Sequence, residues 1–318
     1  MQERNQIIDM KPKLSDFREE VMKGLLSTPK RISPKFFYDE VGSQIFEEIT
    51  QLSEYYPTRA ELEILETCRD DIGKVIGERA TVVELGSGSG RKGLILLGGL
   101  IKPAEFVFVD ISAEALKSAI NLVQSQFPHI QVKAICADYT RTDVLEQMNI
   151  FGRKGIVFLG STIGNMEPDE ARDFISGCRR LLSIGETLTI GVDLKKDRNV
   201  LERAYNDSKG VTARFNLNLI SRINRELGAG IPEGAFIHRA FYNENEGRIE
   251  MHLESTRKQT FVIGGKEVKF EKGESIHTEN SYKYSIDEFS AMLKEAGFNQ
   301  IKFWQDSGKR YALFSSTV

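Results

Sequence analysis

The sequence predicts an α/β protein: an open core of parallel strands and crossover helices, carrying a mixed α+β insertion. Two observations predict it. In the middle third, short β-branched or aromatic runs alternate with helical patterns, which is how a parallel sheet with crossover helices reads. After Lys195 the pattern changes to a long helical stretch followed by alternating strands with turn residues between them.

Residues 1–60 read as mostly helical, punctuated by Pro29, Pro34 and Pro57. The core strands are expected at 81–85, 106–111, 130–137, 155–160 and 188–194, and the helices between them at 92–101, 113–127, 142–148 and 169–182. Pro168 suits the first turn of the last of these, and Asp169 and Glu170 complement its dipole. A helical stretch over 200–227 is interrupted around Gly210. Antiparallel strands follow at 235–242, 248–256, 259–263 and 267–270, with Asn245-Glu246-Gly247 and Gly264-Gly265 at turn positions. A helix over 286–296, stopped by Gly297, and strands near 301–304 and 311–314 close the chain.

Composition bounds the function. The chain has 318 residues, 40% hydrophobic and 28% charged, enough for a deep core and about two domains, and far from disordered or collagen-like sequence. Net charge is −3, from 43 Lys+Arg against 46 Asp+Glu, and no basic tract could track a phosphate backbone, so nucleic acid is not an expected partner. The longest apolar stretch, 94–101, is broken by Gly98 and Gly99 and falls far short of the ~20 residues of a membrane span. The first residues lead into no apolar segment of the secretory type, which points to the cytoplasm. Cys68, Cys136 and Cys178 are far apart and odd in number, which fits a reducing compartment, with Cys136 and Cys178 read as buried small hydrophobes. His129, His238, His252 and His277 show no His-x-x-x-His spacing, so no metal site is expected.

The run at 81–85 leads into Gly86-Ser87-Gly88-Ser89-Gly90-Arg91-Lys92-Gly93. Glycines there allow a tight turn and let a ligand approach the main chain. Gly88, Gly90 and Gly93 satisfy the dinucleotide pattern, whereas Glu84 with Gly86, Gly88 and Gly90 suits S-adenosylmethionine. The loop by itself does not decide. Asp110 would accept ribose hydroxyls in either case, while Asp138-Tyr139 offers an acid for an adenine amino group, more typical of the methyl donor. No catalytic His, Tyr-x-x-x-Lys or Cys constellation speaks for hydride transfer, so the balance favours the donor over NAD and over a loop that merely turns.

The flanking segments are more specific. FYDE-x-GS-x-x-FEEIT at 37–50, EYYPTR at 54–59, ELGSGSG at 84–90 and GSTIGN at 160–165 resemble the histidine-specific methyltransferase family. So do AYND at 204–207, VTARFN at 211–216, IEM at 249–251 and TENSYK at 278–283, in order and over nearly the whole chain. That family trimethylates the α-amino group of L-histidine in ergothioneine biosynthesis. The resemblance implies a Rossmann-like class I core at 61–196 with 286–318, and a substrate-binding domain at 1–60 with 197–285. It implies S-adenosylmethionine held by Tyr38, Gly86, Ser87, Gly88, Lys92, Asp110, Asp138 and Tyr139, with Tyr38 also at the reacting centre. It implies that Tyr56, Asn165 and Tyr205 hold the amino and carboxylate groups of histidine. Glu279 and Ser281 would grip the imidazole, Met251 would line its pocket, and the enzyme would be a monomer. Tyr284-Ser285 departs from the family pattern at the pocket edge.

Each residue has a plainer reading. Met251 could be core filler, Glu279 a solvated acid in a turn, and Asn165 a turn residue bonding its own backbone. Tyr56 could simply pack before Pro57, and Lys92 could face water. His252, next to Met251, belongs on the opposite strand face and receives no role. Other readings are methylation of a different amino acid, an NAD-dependent oxidoreductase, and a binding-only relative without activity.

Overall fold

The structure of the chain, a computed structural model, describes residues 7–10, 16–141, 146–148 and 150–318. From the N-terminus the elements are β1 (Ile7–Asp9), α1 (Phe17–Leu25), β2 (Lys30–Arg31), α2 (Glu40–Thr50) and α3 (Tyr56–Ile76). Next come β3 (Thr81–Leu85), α4 (Arg91–Leu97), β4 (Glu105–Asp110), α5 (Ala113–Gln126), β5 (Val132–Cys136), β6 (Lys154–Phe158), α6 (Pro168–Leu181) and β7 (Thr187–Asp193). They are followed by α7 (Arg198–Tyr205), α8 (Val211–Leu227), β8 (Phe236–Asn243), β9 (Arg248–Ser255), β10 (Gln259–Ile263), β11 (Lys266–Phe270) and β12 (Ser275–Tyr282). The chain closes with α9 (Ile286–Glu295), β13 (Gln300–Gln305) and β14 (Tyr311–Thr317).

Two compact units result. The first comprises Met1–Lys13, Pro57–Leu194 and Tyr284–Val318, and the second Leu14–Tyr56 and Lys195–Lys283.

The first unit is an eight-stranded sheet in the order β1-β5-β4-β3-β6-β7-β14-β13. The strands from β1 to β7 pair in parallel, and β14 runs antiparallel to β7 and β13. Every residue of β3 and β7 is buried, as expected when both faces of a parallel sheet are covered. The order reverses at β3, so the loop after it opens at a switch point where α/β sheets hold ligands. Local chemistry starts the helices as the sequence suggests: Ser112 caps α5, while α6 and α9 each begin with a capping box, Glu167 with Glu170 and Ser285 with Glu288.

Two details differ from the sequence reading. Helix α4 stops at Leu97, where Gly98 and Gly99 follow, rather than reaching residue 101. Strand β1 pairs in parallel with β5, Ile7 opposite Ala134, so residues 7–10 join the core sheet and not the second region. Pairing there covers what would otherwise be an open edge of β5. The helix expected over 142–148 falls largely outside the described residues.

The second unit holds a four-stranded sheet in the order β2-β12-β9-β8 and a separate hairpin, β10 with β11. Its core gathers Phe37, Leu201, Phe215, Leu219 and Ile223 with the strand residues Ile249, Met251 and Leu253, all buried. Strand β12 has no counterpart in the sequence reading. Its polar run Ser275–Tyr282 lacks clean alternation because the register shifts between His277 and Glu279.

Candidate active site

In the first unit β3 delivers the chain into a loop whose three glycines all take left-handed backbone, Gly86 at φ 69°, Gly88 at 50° and Gly90 at 75°. Gly90 also packs on α5: a Cβ there would lie 2.7 Å from that of Ala119. A Cβ on Gly86 would press within 3.1 Å of the Tyr139 hydroxyl, whereas one on Gly88 would meet nothing within 4 Å. The middle of the loop therefore borders open space. Asp110 at the end of β4 accepts from the Gly88 and Ser112 amides, both at 2.9 Å, which fixes the carboxylate and leaves each oxygen a free lone pair. Asp138 accepts from the Thr140 amide at 3.1 Å and hydroxyl at 2.5 Å. The Tyr139 ring meets Phe158 edge-on at 5.6 Å, and burial, reinforced by Asp110 and Asp138, pushes its phenol well above the usual range.

Glu84, near the end of β3, is buried; a Cβ on Gly93 would come within 2.1 Å of its Oε2, which has no hydrogen-bond partner among the described residues. Burial pushes its carboxyl up to about 8, with Lys92 pulling the other way.

Beside the loop a buried carboxylate from α3 ties several elements together. Glu61 accepts from the Gly160 amide at 2.8 and 3.0 Å, from the Tyr311 hydroxyl at 2.7 Å and from Lys92 Nζ at 2.5 Å. Gly191 on β7 makes room for it, since a Cβ there would stand 2.1 Å from Glu61 Oε1. Gly160 opens the turn to a 3-10 segment, Thr162–Asn165, that ends in Asn165.

In the second unit β12 sets out a polar row. His277 pairs with His252 across the ladder, but past the bulge Glu279 pairs with Met251 and Ser281 with Ile249. Met251 and Ile249 face the core, so the one-residue shift turns Glu279 from the histidine face to the inner face. Thr278, the extra residue, is held by bonds to Asn216 Oδ1 at 2.9 Å and the Met251 carbonyl at 3.0 Å. Burial pushes the Glu279 carboxyl up to about 7, with Lys283 pulling the other way. Ser281 Oγ accepts from Tyr205 OH at 2.8 Å and from Lys283 Nζ at 2.7 Å, and Lys283 reaches Tyr205 OH at 3.3 Å. Tyr205, Ser281, Met251 and Lys283 are all buried.

Aromatic rings extend this region. Tyr38 meets Phe46 and Phe215 edge-on at 5.6 and 5.7 Å, Phe46 meets Tyr55 at 6.2 Å, and Tyr55 meets Tyr205 at 6.3 Å. Tyr38 itself is 47% exposed, held between the 3-10 turn that ends at Phe37 and Asp39, which caps α2 through the Gly42 amide. Tyr56 is buried, with Lys196 Nζ 2.6 Å from its hydroxyl and 4.4 Å from its ring centroid.

On the other face of the same sheet Glu250, His252 and His277 bring possible ligand atoms within 4.8 Å of one another. Their spacing in the sequence conceals this because they sit on two strands. Burial opposes ionisation of Glu250, but hydrogen bonds from Asn243, His252 and Arg248 outweigh it and hold the carboxyl at about 2. The cluster thus meets its own hydrogen-bonding needs. His252 lies on the face away from Met251, as alternation requires.

Comparison with known proteins decides between the cofactors that the loop leaves open. The profile described as "Histidine-specific methyltransferase, SAM-dependent" matches residues 17–318. A histidine N-alpha-methyltransferase of Mycolicibacterium smegmatis is 41% identical over 302 residues, covering 93% of each chain. One from Mycobacterium tuberculosis is 39% identical over 301 residues with the same coverage. The ergothioneine biosynthesis protein 1 of Neurospora crassa is 32% identical over 90% of this chain and 33% of its own length.

The chain belongs to the histidine-specific, S-adenosylmethionine-dependent methyltransferase family. Its core is therefore the class I methyltransferase fold, and its cofactor is S-adenosylmethionine. The residues present fit that cofactor: the loop opens at Gly88, the Asp110 carboxylate stands at the strand end, and buried Ser87 Oγ has no partner among the described residues.

Of the residues singled out in the sequence of this methyltransferase, Gly86, Ser87, Gly88, Lys92, Asp110, Asp138, Tyr139 and Asn165 lie in the first unit. Tyr38, Tyr56, Tyr205, Met251, Glu279 and Ser281 lie in the second. Two of the plainer readings fail on geometry. Glu279 is in a strand rather than a turn, and Lys92 pairs with a buried acid rather than facing water. Two residues escaped sequence reasoning. Glu61 left a signal, an acid on the apolar stripe of α3 beside Ala60, Ile64 and Leu65. Lys283 left another, the period-two row Glu279, Ser281, Lys283.

If Gly88 borders cofactor space, Gly88→Val should cost adenosylhomocysteine affinity at least about 100-fold while the protein stays folded. Nothing near it clashes, so only the left-handed backbone is penalised, by roughly 1–2 kcal/mol. Titration calorimetry beside a thermal melt checks this; undiminished affinity would place the cofactor elsewhere.

Proposed function

We propose that this enzyme transfers methyl groups from S-adenosylmethionine to the α-amino nitrogen of L-histidine, three in succession, giving the trimethylated betaine for ergothioneine biosynthesis. The observation that carries the reading is the Glu279–Ser281 pair, an acid and a buried hydroxyl on one strand face, where an imidazole offers a donor and an acceptor. A pocket equipped to bond both ring nitrogens leaves buried polar groups unpaired when an apolar side chain enters, and so rejects it.

The bound donor supplies an electrophilic methyl group on a sulfonium, so the protein's task is mainly to position the acceptor's lone pair. In this reading the Gly86–Gly90 backbone and Ser87 seat the donor, Asp110 accepts from its ribose hydroxyls, and Asp138 beside Tyr139 accepts from its adenine amino group. Lys92 and Tyr38 lie toward its reactive end, with Tyr38 at the reacting centre. Tyr56, Asn165 and Tyr205 hold the amino and carboxylate groups of histidine, and Met251 lines the ring pocket. An α-amine with a pKa near 8 or somewhat higher is partly neutral at working pH, so its proton passes to water or a tyrosine hydroxyl without a dedicated strong base. Aromatic faces suit the cation that accumulates with each methylation. The reading takes the enzyme as a cytoplasmic monomer.

Mass spectrometry after incubation with S-adenosylmethionine and each of the twenty amino acids tests it. Products heavier by one, two and three methyl units on histidine alone are expected. Methylation of another amino acid in preference would overturn the assignment.

A further inference from the structure

Lys283 is 2% exposed, a deep burial for an ammonium. An ammonium can only donate, so the direction of its bonds to Ser281 Oγ (2.7 Å) and Tyr205 OH (3.3 Å) is fixed. The Tyr205 hydroxyl donates to Ser281 Oγ at 2.8 Å. The Ser281 oxygen then accepts twice, which fills its two lone-pair sites. Only its own proton remains to offer a ligand.

We propose that Lys283 is a positioning residue that fixes the Ser281 hydroxyl as a hydrogen-bond donor and thereby makes the pocket select the neutral imidazole of its substrate. This rests on the reading that Glu279 and Ser281 grip the ring. A neutral imidazole presents one N–H and one bare nitrogen: Glu279 accepts from the first, and Ser281 donates to the second. An imidazolium presents two N–H groups. Its second would meet a hydroxyl with no lone pair to spare, beside an ammonium that repels it. Lys283 also opposes the effect of burial on Glu279, which favours the carboxylate form that accepts the ring N–H.

The test is a double-mutant cycle on the full-length enzyme, following adenosylhomocysteine release with histidine across pH. Lys283→Met should lower the high-pH limit of kcat/KM about 10–100-fold, mainly through KM, the loss expected when a charge-assisted bond is removed. Its acidic limb should move to higher pH, and adenosylhomocysteine affinity should stay within about twofold, neither of which a merely structural lysine would do. Ser281→Ala should cost a similar factor. The double variant should be no more than about threefold worse than Ser281→Ala alone, because Lys283 acts through Ser281. Losses that multiply would overturn the proposal. Should Lys283→Met not fold, Lys283→Gln, which keeps a donor but no charge, must show the same coupling on a loss of about tenfold. Wild-type enzyme that binds adenosylhomocysteine yet methylates no histidine would overturn the underlying reading, and does so without any substitution.

Discussion

Glu279→Ala should lower kcat/KM for histidine by about 10²-fold or more, while adenosylhomocysteine affinity stays within about twofold. The bulge in β12 puts this carboxyl on the sheet face it shares with Met251, so its loss leaves a ring N–H without its acceptor. Alanine also opens space and leaves Lys283 without the nearby negative charge; Glu279→Gln keeps an acceptor oxygen at nearly constant volume and so isolates the contribution of the charge. The pH dependence carries a sign. Burial pushes Glu279 up to about 7 from an ordinary 4.5, so the free wild-type enzyme should gain kcat/KM as pH rises through about 7. In Glu279→Gln only the substrate's own imidazole titration, near 6.5, should remain on that limb. Stability runs the other way. Between pH 4.5 and 7 the folded chain keeps a proton on Glu279 that the unfolded chain has released, so this group's contribution falls as pH rises through that window and is level above it. Thermal melts of wild type and Glu279→Gln should therefore diverge in favour of Gln from pH 4.5 to 7. Equal loss of histidine turnover and cofactor affinity in the alanine variant would mean that Glu279 has a different role.

Glu61→Ala should be the most destabilising substitution in the core, by about 3–5 kcal/mol, the cost of breaking a buried pair and orphaning its partners. It leaves the Gly160 amide, the Tyr311 hydroxyl and the Lys92 ammonium without the acceptor they share. A fall in melting temperature of roughly 4–8 °C is expected for a chain of this size. Glu61→Gln keeps an acceptor oxygen and the shape but not the charge, and should cost less than half as much. A melting temperature unchanged in Glu61→Ala would show that the three donors find other partners at no cost.

The core was legible because its physics is local. Parallel strands covered on both faces read as short apolar runs, and β3, with all five residues buried, follows that rule. The glycine loop was legible for a similar reason, since the left-handed turns at residues 86, 88 and 90 each demand glycine. Its cofactor was not. Both motifs overlap on the same glycines, and the longer flanking strings had to carry the distinction. What stayed hidden depends on register or on partners far away in sequence. Period-two reasoning from His277 puts Glu279 on the wrong face, and the bulge that corrects it leaves no clear mark on a polar run. Glu61 becomes significant only once Gly160 and Tyr311, 99 and 250 residues away, arrive beside it. Strand β1 joins the core sheet although its three residues, Ile7–Asp9, are too few to signal a partner.

The central claim is that the Glu279 carboxylate and a donating Ser281 hydroxyl hold the imidazole of histidine as a neutral ring. Nitrogen-15 NMR of ring-labelled histidine, bound to the enzyme together with adenosylhomocysteine, tests it most directly. Two distinct signals are expected, one from a protonated ring nitrogen and one from a bare nitrogen accepting a hydrogen bond, with the bare-nitrogen signal shifted in Ser281→Ala as it loses its donor. Two protonated nitrogens, or a ring that averages as it does in free solution, would contradict the account.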